Sequence, residues 1–302
     1  MRPLALTVGA AVLLVAGCAA QDTAGDGHAS APLLDPRGPR NPEGPPEVVV
    51  RGDGASLTVA PYTYCWGTVC ADGLPPEPLP DIGTHPELVV EFPVERWRGE
   101  ATFQRADDRC ARLQTVELER VSATTHRLTP AGFAGTYDVD LGVHGRGGDA
   151  FVRFRWTTPS DGPLPTPDAI LMVLAEHDGR IDSYGLSLEV TNLRATPREA
   201  TARVTVTAAN GRSLTFTPTP VDLAPEGCAS LEGSLSWRHP GDEVREAAEL
   251  GEPPFTYAVD LVLDGVTHRG SAAWPDDALP DVEPYVRLTF DPPLPALSPA
   301  DG

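Results

Sequence analysis

The sequence predicts an all-β chain in which two β-sandwich domains stand in tandem after a disordered tether. Three observations carry that expectation. Short runs that alternate apolar with polar residues recur along the chain, the period of a strand buried on one face only. Asn210-Gly211 and Asp264-Gly265 each lie between two such runs, and both dipeptides accept the positive φ of a type I′ hairpin turn. The residues after position 46 number roughly 250, too many for one ordinary sandwich, and a proline-rich stretch from Pro159 to Pro167 divides them.

Residues 1–17 have the three parts of an export signal: cationic Arg2, an apolar run from Leu4 to Val15, and small Ala16 and Gly17. An apolar run of roughly 12 residues falls short of the roughly 20 that cross a bilayer, so removal rather than retention is expected. Leu14-Val15-Ala16-Gly17-Cys18 resembles the lipobox of bacterial lipoproteins. That resemblance implies cleavage before Cys18, lipid on its thiol, the bilayer as first partner and a place on the extracytoplasmic face of the cell membrane. A thiol is a strong nucleophile for forming a thioether, and two or more acyl chains hold a protein firmly where one binds reversibly. Cleavage after Ala20, in an Ala-x-Ala-like site, would instead discard Cys18; the cysteine's place, where the apolar run ends and a polar stretch follows, favours the lipobox.

Residues 18–46 mix Gly, Ser, Asp and Pro without periodicity and read as the tether, stiffened over Asp35 to Pro42 by proline. The first domain, 47–158, follows with strands expected at Val48–Val50, Leu57–Val59, Leu88–Phe92, Val116–Leu118, Thr136–Leu141 and Phe151–Trp156. Arg51-Gly52-Asp53 matches the integrin tripeptide in letters and reads as a turn. After the linker 159–167 comes the second domain, 168–296, with strands expected at Ala169–Ala175, Leu186–Val190, Ala202–Val206, Leu214–Phe216, Tyr257–Leu263, Val266–His268 and Tyr285–Phe290. One short helix is expected from Asp242 to Leu250, capped by Asp242 and stopped by Gly251, and 297–302 form a tail.

The run Tyr184 to Leu193, with Arg203-Val204-Thr205-Val206 and Asn210-Gly211-Arg212, resembles bacterial immunoglobulin-like modules and implies two immunoglobulin-like β-sandwich domains. Tyr64-Cys65-Trp66-Gly67, Cys70 to Gly73, Gly135-Thr136-Tyr137 and Arg155 to Thr158 resemble exported actinobacterial proteins with no assigned activity, which implies location and disulfides only.

Five cysteines are an odd number. With Cys18 assigned to lipid, Cys65, Cys70, Cys110 and Cys228 form two disulfides, for which three connectivities exist. The loop from Cys65 to Cys70 can close across a turn, which leaves Cys110 for Cys228, and this pairing is favoured. No Cys-x-x-Cys or adjacent Cys/His pair suggests zinc.

All 23 basic residues are arginine, so Schiff-base, phosphate-loop and serine–lysine chemistry is excluded. A net charge of −20 argues against nucleic acid and against lying flat on anionic lipid. Nucleophile elbows, zincin helices and dinucleotide-binding glycine motifs are absent from the sequence. The seven histidines, His28, His85, His126, His144, His177, His239 and His268, are scattered and mostly expected in solvent, although a sandwich can bring His144 to Asp149. Asp138, Asp140, Asp149, Asp276 and Asp277 are the conceivable calcium ligands, without the spacing of a calcium loop. Tyr62, Tyr64 and Trp66 form either a contact patch or cover for the first core. No cofactor and no catalytic residue is expected. The readings left are a non-catalytic binding or adhesion module for an envelope protein or glycan, a structural spacer or accessory subunit of an envelope complex, and an enzyme with a site built from loops.

Overall fold

A computed structural model describes residues 44–222, 224–279 and 284–302. The expected signal segment, Cys18 and the tether up to residue 43 lie outside the described residues. Among those described, no helix is long and apolar enough to cross a membrane.

The first unit holds β1 (Val48–Gly52), β2 (Ala55–Val59), β3 (Thr63–Trp66), β4 (Val69–Asp72), β5 (Asp81–Thr84), β6 (Leu88–Glu91), β7 (Arg98–Arg105), β8 (Gln114–Glu117), β9 (Glu119–Arg120), β10 (Thr125–Leu128), β11 (Gly135–Gly145) and β12 (Gly148–Thr158). One sheet runs β2-β1-β6-β10-β9, and the other runs β4-β3-β12-β11-β7-β8 with β5 parallel to β12. The second unit holds β13 (Asp168–Met172), β14 (Ala175–His177), β15 (Arg180–Asp182), β16 (Leu186–Thr191), β17 (Ala200–Thr207), β18 (Ser213–Phe216), β19 (Thr219–Pro220), β20 (Leu235–His239), β21 (Phe255–Leu263), β22 (Val266–Trp274), β23 (Val286–Arg287) and β24 (Thr289–Asp291). Its sheets run β19-β20-β16-β13-β23 and β18-β17-β21-β22-β24, beside a separate hairpin of β14 and β15.

Both units repeat one strand order. Lettered along the chain, β1, β6, β7, β8, β9, β10, β11 and β12 are strands A, B, C, C′, D, E, F and G of the first unit. The corresponding strands of the second are β13, β16, β17, β18, β19, β20, β21 and β22. Each unit then sets A-B-E-D against C′-C-F-G, the immunoglobulin-like sandwich order. Tyr137, near the start of strand F, donates its hydroxyl to the Phe133 carbonyl just upstream, the tyrosine corner of such sandwiches. The chain is therefore all-β and built of immunoglobulin-like β-sandwiches. The units differ between A and B, where the first inserts β2 to β5 and the second only the β14–β15 hairpin.

Alternation produces two separate cores. On β11, Tyr137, Val139, Leu141 and Val143 point inward while Asp138 and Asp140 point out. They meet Val48, Val50, Leu88, Val90 and Leu128 from the facing sheet, with Trp97 and Trp156 fully enclosed. The second core gathers Leu171, Leu188, Val190 and Trp237 against Val204, Tyr257, Val259 and Leu261. Truncating an enclosed tryptophan such as Trp156 or Trp237 to alanine costs about 3–5 kcal/mol.

Several expectations are corrected. The helix begins at Gly241 as a single turn, α1 (Gly241–Val244), and continues as a 3-10 turn over Arg245–Glu249. Pro240 is its N-cap, and Asp242 pairs with Arg245 rather than capping. Asn210-Gly211 is not a type I′ turn: only Gly211 has positive φ, +82°, because the Asn210 side chain is spent on the Leu250 carbonyl and the Arg212 N–H. Three of the histidines expected in solvent, His85, His126 and His268, are buried. His126 and His268 occupy inward positions of β10 and β22, and His85 lies against the backbone of Gly52. Burial, with the nearby Arg120 charge adding to it, lowers the His126 pKa. Packing also begins at Gly44, buried against the Tyr64 ring, ahead of the boundary read from the sequence.

Candidate functional site

The strand order puts three loops of the second unit, B–C, D–E and F–G, at the end from which β13 departs, facing the first unit. Against them the first unit sets its C–C′ loop, between β7 and β8. Cys110 in this loop is bonded to Cys228 in the D–E loop, with Cα atoms 5.5 Å apart. Arg112, two residues on, donates to the Leu193 and Arg194 carbonyls of the B–C loop and to Glu232 at 3.3 Å. Its side chain is only 9 % exposed, so the guanidinium is held almost wholly by the opposite unit. The Glu232 N–H closes the ring by donating to the Cys110 carbonyl at 3.0 Å.

The proline-rich linker is packed rather than free. Gly132 N–H and the Gln114 amide both donate to the Pro163 carbonyl, at 3.0 and 3.2 Å. Residues 297–302 likewise return to the junction. Asp301 pairs with Arg194 at 3.0 Å, Ser298 and Asp301 cap each other, and Gly302 lies on the Phe133 ring. The hydrogen bonds from Ser298 hold the Asp301 carboxyl below the usual range, with Arg194 adding to the effect.

Grooves run along this junction, two of which bear on the site. The larger, of about 760 Å³, has the linker from Pro163 to Pro167 as its floor. One wall is Gln114, Thr115 and Val116 of β8; the other runs from Arg287 to Phe290, where the chain passes from β23 to β24. Arg287 is held by Asp168 at 2.8 Å. The smaller groove, of about 560 Å³, lies between Tyr137 and Phe133 of the first unit, Arg194 of the second, and the tail. There the Arg105 guanidinium sits 5.2 Å from the centre of the Tyr137 ring.

The residues singled out from the sequence fall elsewhere. Cys18 is outside the described residues. Cys65 is bonded to Cys70 across β3 and β4, on an exposed hairpin. His144 does meet Asp149, at 2.9 Å, and Glu100 joins them at 3.8 Å. The three lie on the outer face of the β7–β11–β12 sheet, on solvent and outside both grooves.

The five aspartates are not brought together. Asp138 pairs with Arg155, Asp140 with Arg153 and the Tyr62 hydroxyl, Asp149 with His144, and Asp277 accepts the Ala273 N–H. Desolvation raises the Asp140 pKa against the pull of Arg153 and Tyr62. Among the described residues, no group of three or more His, Cys, Asp or Glu side chains is arranged to hold a metal ion. Tyr64 and Trp66 pack on the first core, with the Trp66 ring edge-on to Phe92, so these two serve as cover, while Tyr62 donates its hydroxyl to Asp140 on the outer side of β11. Arg51 of the Arg-Gly-Asp tripeptide lies along the sheet, bound to Glu91 and Ser56, and Gly52 pairs with Ala55 across the turn.

Sequence reasoning missed Arg112, Thr115 and Arg287. The one signal for Arg112 was its place two residues beyond a cysteine that has to reach the other half of the chain.

No protein-family model matches the chain, and neither does any curated protein. Among solved structures it is similar to the FN1–FN3 domains of chicken CNTN1, at 12% identity over 68% of this chain and 67% of that one. The TM-score of that match is 0.19, so the immunoglobulin-like order rests on the strand pairing described above.

Proposed function

We propose that the chain is a lipid-anchored module on the extracytoplasmic face of the cell envelope, and that it binds an envelope protein or glycan without catalysing a reaction. The observation that carries this reading is the groove of about 760 Å³ held between two sandwiches that a disulfide and Arg112 clasp together. Its volume is in the range of ligand pockets, and its walls mix apolar side chains with a few fixed polar groups. The His144 cluster, by contrast, lines neither of the two grooves. The net charge of −20 sets nucleic acid aside as a partner. A second reading, a rigid spacer, is favoured by the same disulfide, since a spacer needs stiffness and no groove.

The experiment is photo-crosslinking in native membranes with a photoreactive residue at Leu164, in the groove, or at Arg203, exposed on β17. Amine reagents are of little use on a chain without lysine. Recovery of one partner from position 164 and not from 203 supports the binding module; equal or no recovery leaves the spacer. The anchor is tested separately by Cys18→Ala, which is expected to release the chain or leave its precursor unprocessed. Unchanged membrane partition of that variant would refute lipidation.

A further inference from the structure

The larger groove runs along the edge of β8, and the pairing identifies which peptide groups face into it. Among the described residues β8 pairs only with β7, and the Leu118 N–H donates to the Gly99 carbonyl directly opposite. An antiparallel ladder alternates residues that exchange hydrogen bonds with residues that do not. Gln114 and Val116 therefore spend their peptide groups on β7, while Thr115 and Glu117 turn theirs away from the sheet. On the opposite wall β23 pairs with β13 on one side, and its other side is already bridged at Ala278, where the Leu279 N–H donates to the Tyr285 carbonyl, so the unpaired edge on this groove is that of β8. Among the described residues, no backbone hydrogen bond outside the β7 ladder involves Thr115, which lines the groove.

We infer that this groove binds an extended segment of another polypeptide, which adds a strand to the free edge of β8 and rests its alternate side chains on Leu164, Leu288 and Phe290. This rests on the reading of the chain as a binding module and names the partner's chemistry. A free edge offers unpaired N–H and C=O groups at the spacing of a strand, which a glycan does not reproduce. β8, a strand of four residues, carries no proline, bulge or lysine against such pairing. The covalent clasp fixes the groove beforehand, so binding orders only the incoming segment. The acidity of the whole chain selects a segment that is neutral or basic.

The test uses the exported full chain and a displayed library of random twelve-residue peptides, followed by N-methylation of the best binder at each position in turn. The expected pattern has period two: methyl groups on alternate amides weaken binding at least tenfold, and those between leave it unchanged. In hydrogen exchange the peptide is expected to slow the Thr115 amide at least tenfold and to leave Gln114 and Val116 as they were.

Thr115→Pro removes an N–H that points away from β7, a position where an edge strand accepts proline. It is expected to keep both disulfides and lose the peptide at least tenfold; if it does not fold, the N-methyl series decides. The inference is overturned if no library peptide binds, if methylation shows no period of two, if protection appears away from β8, or if folded Thr115→Pro still binds. Peptide binding with no partner crosslinked in the envelope would sink the functional reading and keep the site. A partner crosslinked at position 164 without the period-two pattern would do the reverse.

Discussion

His144 on β11 has its two ring nitrogens against carboxylates from both neighbouring strands, Asp149 on β12 and Glu100 on β7. Its pKa is raised above 6.5, first by the Glu100 carboxylate and then by Asp149, against the opposing effect of burial. The Glu100 carboxyl is held below 4.5, chiefly by His144. A histidine raised on folding contributes stability that is full below its unfolded value and disappears as pH rises through its folded value. A depressed carboxylate contributes above its unfolded value and loses the contribution as pH falls through its folded one. The pair is therefore worth most between about pH 4.5 and 6.5, where both partners are charged. Because Glu100 and Asp149 are about half exposed, screening keeps the contribution under about 1 kcal/mol. His144→Gln is expected to lower stability by that amount in urea titrations near pH 5.5 and to have almost no effect near pH 9; equal losses at both would contradict the ion-pair account.

The β21–β22 turn shows what a hairpin dipeptide predicts and where it stops predicting. Asp264 and Gly265 both have positive φ, 45° and 83°, and Leu263 pairs directly with Val266, so this is the two-residue turn the sequence promised. The Asp264 carboxylate also accepts the N–H groups of Arg198 and Glu199, which ties the turn to the B–C loop. A Cβ at Gly265 meets nothing within 4 Å, so the cost of a side chain there is conformational alone. Gly265→Ala is expected to cost about 1–2 kcal/mol, and Gly265→Asn clearly less, because asparagine tolerates the left-handed region; equal shifts of the urea midpoint would remove that explanation. Asn210-Gly211 looks the same in letters but closes a longer loop, because its side-chain partner Leu250 lies forty residues away. The strands that were legible carry branched residues in alternation, as Thr136–Leu141 does. β7, at Arg98–Arg105, was not: its buried positions are Gly99, Ala101 and Phe103, two of them too small to register as apolar. β3 to β5 escaped for a related reason, since they edge a sheet already complete and bury little side chain of their own.

The junction between the sandwiches was legible only through its cysteines. Arg112 binds two backbone carbonyls, which any sequence supplies, so no pattern of residue types announces the contact. The groove walls depend in turn on how the units are set against each other. The two cores share no residue, and each sandwich has a full set of strands to fold with. The Cys110–Cys228 bond spans 118 residues, enough to raise the free energy of the unfolded chain by about 5 kcal/mol in the chain-entropy account. With independent cores, its larger effect in the folded state is on geometry: it keeps two surfaces at high effective concentration that Arg112, Gln114 and the tail would otherwise hold alone. Changing Cys110 and Cys228 together to serine is expected to leave both sandwiches folded while widening the range of interdomain distances, seen as a larger radius of gyration in small-angle scattering. The same change at Cys65 and Cys70 is expected to leave the scattering curve as it was, because that bridge closes within one hairpin. If neither pair altered the curve, the hydrogen bonds of Arg112 and Gln114 would be sufficient to set the groove, and Arg112→Met would then be the substitution that opens it.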